Sequence, residues 1–193
     1  MYRNFNVSTA RRCDYNVNVV ADIGRLQLSI PSDKKMKKIC GGRIISINKS
    51  VKKGTAKMPV EKAVLCRATG IKGDAHAKKG SLRQVSALDY SSVKKLKKKD
   101  KKNVVRCGAF GENLDLSGIN IKKIGVGCIM KFESGAELEL TKIGKECRTP
   151  CIIKKTCGRC IMPVEGIFCV VIKSGRITVG EKYSLFKRTD EHL

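Results

Sequence analysis

The chain has 193 residues, with 41 Lys or Arg against 17 Asp or Glu, a formal charge of +24, 5% aromatics and no Trp. That length suits one domain that buries a core without disulfide staples, and no run approaches the roughly 18 apolar residues of a membrane span. The surplus of cations favours anionic partners, but no Arg-rich element interleaved with aromatics marks specific nucleic-acid readout.

Met1 to Arg12 is polar, with no apolar core and no small-residue cleavage pattern. The 10 cysteines are irregularly spaced. The expected setting is a reducing cytoplasm, with thiols acting as ligands or nucleophiles and no membrane association. Before residue 34 the positive charges are all arginine (Arg3, Arg11, Arg12, Arg25), and beyond it lysine dominates. Residues 1–35 are therefore expected to be an N-terminal extension, either artificially added or belonging to a misassigned gene start, or else a genuine but weakly ordered arm. The domain is expected over 36–188, followed by a short tail, 189–193.

Short β-rich segments follow in succession. Gly42 to Asn48, Val60 to Arg67, Gln84 to Leu88, Val126 to Phe132 and Ala136 to Thr141 each hold β-branched residues bounded by turn chemistry. Phe168 to Lys173, Ser174-Gly175 and Arg176 to Val179 read as a hairpin, since glycine supplies the positive φ of a two-residue turn. Tyr183 to Lys187 would close the set. One helix is expected over Ser91–Lys99, with a serine as N-cap, and a second short one within 150–160. Many short strands with few helices imply a β-sandwich or barrel. The run from Lys94 to Lys102, broken by Leu96 and Asp100, reads as a solvated face.

The densest chemistry lies in Gly144-Lys145-Glu146-Cys147-Arg148-Thr149-Pro150-Cys151, followed by Cys157-Gly158-Arg159-Cys160. Cations beside a thiol stabilise the thiolate, the form that attacks electrophiles and binds soft metals. Cys66, Cys128 and Cys169 sit in apolar strands instead and read as inert small hydrophobes. Cys147, Cys151, Cys157 and Cys160 also offer the four thiolates of a closed zinc site, although the five residues between the two pairs are fewer than paired knuckles use. A zinc-stabilised interaction module and a basic nucleic-acid-binding protein are the alternatives from other classes.

Several signatures occur in fixed order. They are Lys49-Ser50 with Gly54 and Lys57; Gly70-Ile71-Lys72-Gly73-Asp74-Ala75-His76; Arg83-Gln84-Val85-Ser86; Gly108-Ala109-Phe110-Gly111-Glu112-Asn113-Leu114; the thiol cluster; and Gly166-Ile167-Phe168. From about Ile39 to Lys187 this order resembles the MOSC family, named for the C-terminal domain of molybdenum cofactor sulfurases, and its small stand-alone bacterial members above all. The resemblance implies a mainly β fold, a MOSC-type barrel with a few short helices. It also implies binding of molybdenum cofactor (molybdopterin) or carriage of sulfur for it, and partners among cofactor-biosynthesis or redox proteins. Pyridoxal phosphate binding is associated with the family as well.

Carried over residue by residue, Arg148-Thr149-Pro150-Cys151 matches an Arg-x-Pro-Cys form. It makes Cys151 the first choice for molybdenum ligand or persulfide carrier, and Cys147 the second. Lys49 and Ser50 resemble a Lys-Ser pair that contacts cofactor phosphate in amidoxime-reducing relatives, which reduce N-hydroxylated substrates. Arg83 corresponds to a basic residue facing the same group, and Asn113 to a cofactor-facing asparagine. Read without the resemblance, Asp74 and His76 close a Gly-flanked turn. Glu112-Asn113 caps another, and for Asn113 structure and cofactor binding both stand.

Overall fold

The structure, a computed structural model, describes residues 35–147 and 151–189. The expected extension over 1–34, the last residues of the expected tail and the Arg148-Thr149-Pro150 segment lie outside the described residues.

Eleven strands and three short helices make up the described chain: β1 Met36–Lys49, β2 Met58–Val60, β3 Lys62–Cys66, β4 Gly70–Ile71, β5 Val85–Asp89, α1 Tyr90–Lys97, β6 Leu114–Leu116, β7 Ile129–Phe132, β8 Glu137–Ile143, α2 Ile152–Cys157, α3 Met162–Glu165, β9 Ile167–Lys173, β10 Gly175–Thr178 and β11 Lys182–Arg188. Seven strands form a ring in the order β11-β7-β8-β9-β5-β6-β1, which a β1–β11 pairing closes, and β2 extends β1 outside it. The fold is a mainly β barrel, as expected from both the strand spacing and the family resemblance.

Alternation along the strands sets which side faces in. In β8, Leu138 and Leu140 are buried between partly exposed Glu137 and Glu139, and in β11 Tyr183 and Leu185 are buried while Lys182 and Lys187 reach solvent. The barrel core gathers Ile44, Ile47, Val85, Leu114, Met130, Leu138, Ile167 and Leu185. β1 serves two neighbours, β11 through its first half and β6 through its second, with register shifts between Lys38 and Cys40 and between Ile44 and Ser46. Gly42 permits that crossing, because a Cβ there would stand 1.8 Å from the Ser117 carbonyl oxygen.

Pairing in the ring is antiparallel except between β5 and β6. A parallel pair needs a crossover, and residues 90–113 supply it, with α1 at its start. α1 buries Val93 and Leu96 and turns Lys94, Lys95 and Lys97 outward. Its N-cap is Asp89 and not a serine; the Ser91 hydroxyl donates to the Asp89 carboxylate. A second core of Leu88, Val93, Leu96, Phe110, Ile153, Ile161, Met162 and Phe168 holds all three helices against the barrel wall.

The expected hairpin over 168–179 does not form. β8 runs along β9 from Ile167 to Lys173, and β5 pairs with its first three residues, Ile167–Cys169. β10 leaves the barrel and pairs with β3, in a three-stranded sheet of order β10-β3-β4. Ser174 becomes the corner, its hydroxyl accepting the Arg67 N–H at 3.0 Å.

Candidate thiol and anion site

The C-terminal end of β8 delivers the chain to the thiols. Past Ile143 the Gly144 N–H donates to the Gly166 carbonyl at 2.6 Å, which ties Lys145–Cys147 to the end of α3. Cys151 is the N-cap residue of α2, and Gly158 ends that helix in the left-handed conformation (φ 73°), the position where glycine is least strained. That turn sends the chain back, so Cys157 and Cys160 face different surroundings.

Cys147, Cys151 and Cys160 line one cavity of about 590 Å³, together with Lys142, Lys145, Lys154 and Arg159. Glu146 is the acidic residue of that lining. Cys147 and Cys151 are exposed, and Cys160 is half-buried. Burial first, opposed by the Met162 N–H and then reinforced by Cys151 and Cys147, pushes the Cys160 thiol up to about 11. Cys157 is raised by burial and then by Asp100, on the side of the second core.

The four-thiolate zinc set is therefore not assembled. Among the described residues no three His, Cys, Asp or Glu side chains are placed to hold a metal ion.

Lys49 and Ser50 belong to a second group. Ser50 is buried, and its backbone N–H donates to Asp74 Oδ2 at 3.1 Å. The Asp74 carboxylate also takes both oxygens to the wholly buried Lys57 ammonium, at 2.7 and 2.8 Å, and accepts the His76 N–H at 3.0 Å. Burial alone would raise the Asp74 carboxyl, but Lys57, the His76 N–H and the Ser50 N–H together hold it below the usual carboxylate range. Burial depresses Lys57 and His76 below their ordinary values. Asp74 is thus the anchor of its loop and not a lone turn residue, while its contact with the His76 backbone is the local bond the sequence suggested.

The Ser50 hydroxyl is buried without a hydrogen-bond partner. Beside it the Lys49 ammonium donates to the Lys72 carbonyl at 3.3 Å, and Lys49, Lys62, Lys72 and Arg176 line a surface depression with no acidic residue. An unpaired buried hydroxyl costs on the order of 1–3 kcal/mol, and Ser50 is not itself among the residues lining the depression. The donor set on this side fits an anionic head group.

Arg83 is exposed, its guanidinium 5.8 Å from the centre of the Phe168 ring. Phe168 pairs with Lys142, one of the residues lining the thiol cavity. Asn113 lies deeper. Its amide donates to the Asn48 carbonyl at 3.1 Å and its oxygen accepts from the Ser86 N–H and hydroxyl, at 3.2 and 3.1 Å, which pins β1, β5 and β6 together. Next to it, Glu112 accepts the Gly108 and Phe110 N–H groups, as a turn cap should. Burial and then the neighbouring Asp115 raise Glu112 to about 8.

The structure thus brings Cys147, Cys151 and Cys160 together, and separately Lys49 with Ser50. Among the described residues no hydrogen bond or ion pair joins the two groups. The sequence named Cys160 with Cys151 only as part of a zinc set and quoted Arg159 within the cluster, whereas Lys142 as lining was missed. Gly158, whose place after a short helix implies a chain reversal, was the usable signal for the division of the thiols.

These features define a closed, strongly basic barrel with a thiol-lined cavity on its wall. The model of the MOSC domain matches residues 74–184, and the chain belongs to that family. Among solved structures, the YuaD protein of Bacillus subtilis shares 17% identity over 80% of this chain and 100% of its own, with a TM-score of 0.63. YiiM of Geobacillus stearothermophilus shares 19% over 82% and 79%, with a TM-score of 0.58. YiiM of Escherichia coli shares 17% over 77% and 72%, with a TM-score of 0.55. At these identities the likeness is one of fold. No curated protein matches. Family membership associates the chain with molybdenum-cofactor chemistry, and no helix of the described residues is long and apolar enough to cross a membrane.

Proposed function

We propose that this protein handles sulfur for the molybdenum cofactor, with Cys151 carrying the sulfur as a persulfide. The observation behind this reading is the gathering of exposed Cys151 with Cys147 and Cys160 in one basic cavity. Ligating molybdenum would use one of these thiolates, whereas taking up sulfur on one thiol and discharging it with another uses two. The cations of Lys142, Lys145, Lys154 and Arg159 favour the charged sulfur species and an anionic acceptor. Cys147 is the alternative carrier on the same rim.

A second reading is supported by the unpartnered Ser50 hydroxyl beside Lys49. In it the protein retains the cofactor: Lys49, Ser50 and Arg83 hold the pterin phosphate and Cys151 ligates molybdenum. When bound, the metal would supply two-electron reduction of an N-hydroxylated substrate. Asn113 would then act by fixing β1 against β5 and β6, since its side chain is engaged within the protein.

The test uses protein purified from a host that makes the cofactor, analysed for molybdenum and pterin, then mixed with a persulfide donor and sulfur-free cofactor. The sulfur-carrier reading expects sulfurated cofactor from the wild type and none from Cys151→Ser. Retained molybdenum and pterin that vanish in Cys151→Ser would favour the second reading instead.

A further inference from the structure

We propose that Cys160 is the resolving thiol of this site, discharging a persulfide on Cys151 as hydrosulfide and closing a Cys151–Cys160 disulfide. The inference rests on the sulfur-carrier reading of Cys151 and assigns a role to a residue that reading does not use.

Three placements support it. Both side chains line the same cavity. The intervening chain makes that proximity a designed return: α2 rises for six residues, roughly 9 Å, and the left-handed Gly158 reverses the path before α3. Cys160 is also held from behind. Its side chain packs against the second core. Cys157, the other thiol of the Cys-x-x-Cys pair, packs against the same core but does not line the cavity.

The step balances without a bound cofactor. The Cys160 sulfur attacks the inner sulfur of the Cys151 persulfide, forming the new S–S bond. The bond to the terminal sulfur breaks, and its electron pair departs with that sulfur, which takes the Cys160 proton and leaves as hydrosulfide. The terminal sulfur is reduced and the Cys160 thiol oxidised. An external dithiol, exchanging with the disulfide, restores both thiols. The departing anion is released among Lys142, Lys145, Lys154 and Arg159, which would hold it for an acceptor.

The experiment loads the reduced full-length protein with sodium tetrasulfide, removes excess reagent by rapid desalting, and follows sulfide release and peptide-mapped mass together. The wild type is expected to release close to one sulfide per loaded Cys151 and to yield a Cys151–Cys160 disulfide. Cys160→Ser and Cys160→Ala are expected to keep the added sulfur on Cys151, with sulfide release slowed at least tenfold. Cys157→Ser is expected to behave as the wild type. Equal release from wild type and both Cys160 variants would overturn the proposal, as would a disulfide that maps to Cys147–Cys151. Absence of added sulfur on Cys151 in the folded Cys160 variants would remove the sulfur-carrier reading and this inference with it, so the two failures are read at different steps.

Discussion

Replacing Asp74 by Asn isolates the ion pair on which the Lys49–Ser50 side of the barrel rests. The Lys57 ammonium is wholly buried and meets both Asp74 oxygens, at 2.7 and 2.8 Å. Asn keeps the shape and one acceptor but leaves a buried cation without its counter-charge, a change that costs about 3–5 kcal/mol. For a domain of this size each kcal/mol moves the thermal midpoint by about 2–4 °C, so the expected fall is about 6–20 °C. Urea unfolding should show the same loss with an unchanged slope. Adding Lys57→Met to Asp74→Asn removes the stranded charge and should recover part of the loss. The Asp74 carboxyl is held below its ordinary range, so its stabilisation is present above the unfolded value and fades as pH falls through the lower folded one. A cost below about 1 kcal/mol for Asp74→Asn, or a double variant less stable than the single one, would refute this account of the pair.

Glu112 works in the opposite sense: its folded value is raised from 4.5 to about 8, so it should reduce stability as pH rises through that window. Thermal midpoints across that range should fall in the wild type, and fall less in Glu112→Gln. Substituting Gln for Lys97, Lys98 and Lys99 should change stability by no more than about 0.5 kcal/mol each in urea unfolding, and leave the cavity's thiol chemistry untouched. A chain beginning at Met36, where β1 starts, is expected to keep the thermal midpoint of the full chain, and a cooperative loss would show that the preceding residues contribute to the fold.

The barrel was legible because inward and outward residues alternate along β8 and β11, and because α1 carries an apolar stripe among its lysines. β4 and β6 escaped notice because two or three residues are too few for periodicity to register. The failed hairpin has the same root in local reading. Ser174-Gly175 is a sound turn signal, but whether the flanking strands pair depends on distant partners: β8 runs along β9, and β3 takes β10. At the candidate site the thiol cluster was visible as composition, whereas its division was not. Cys157 and Cys160 are only three residues apart, yet after the left-handed Gly158 only Cys160 lines the cavity with Cys151. Lys57 was visible as part of a motif, but the sequence carries no sign that its charge is buried against Asp74.

Peptide-mapped alkylation of the native protein, purified without added metal, at neutral pH tests the assignment of Cys151 most directly. Cys151 is exposed on the rim of a basic cavity, Cys66 is half-buried in β3, and Cys169 is buried in the barrel. Cys151 is expected to label fastest, well ahead of Cys66, with Cys169 unlabelled until the protein unfolds. Cys151 labelling no faster than Cys66 would contradict its role as the functional thiol, as would protection of Cys147, Cys151, Cys157 and Cys160 together until a chelator is added.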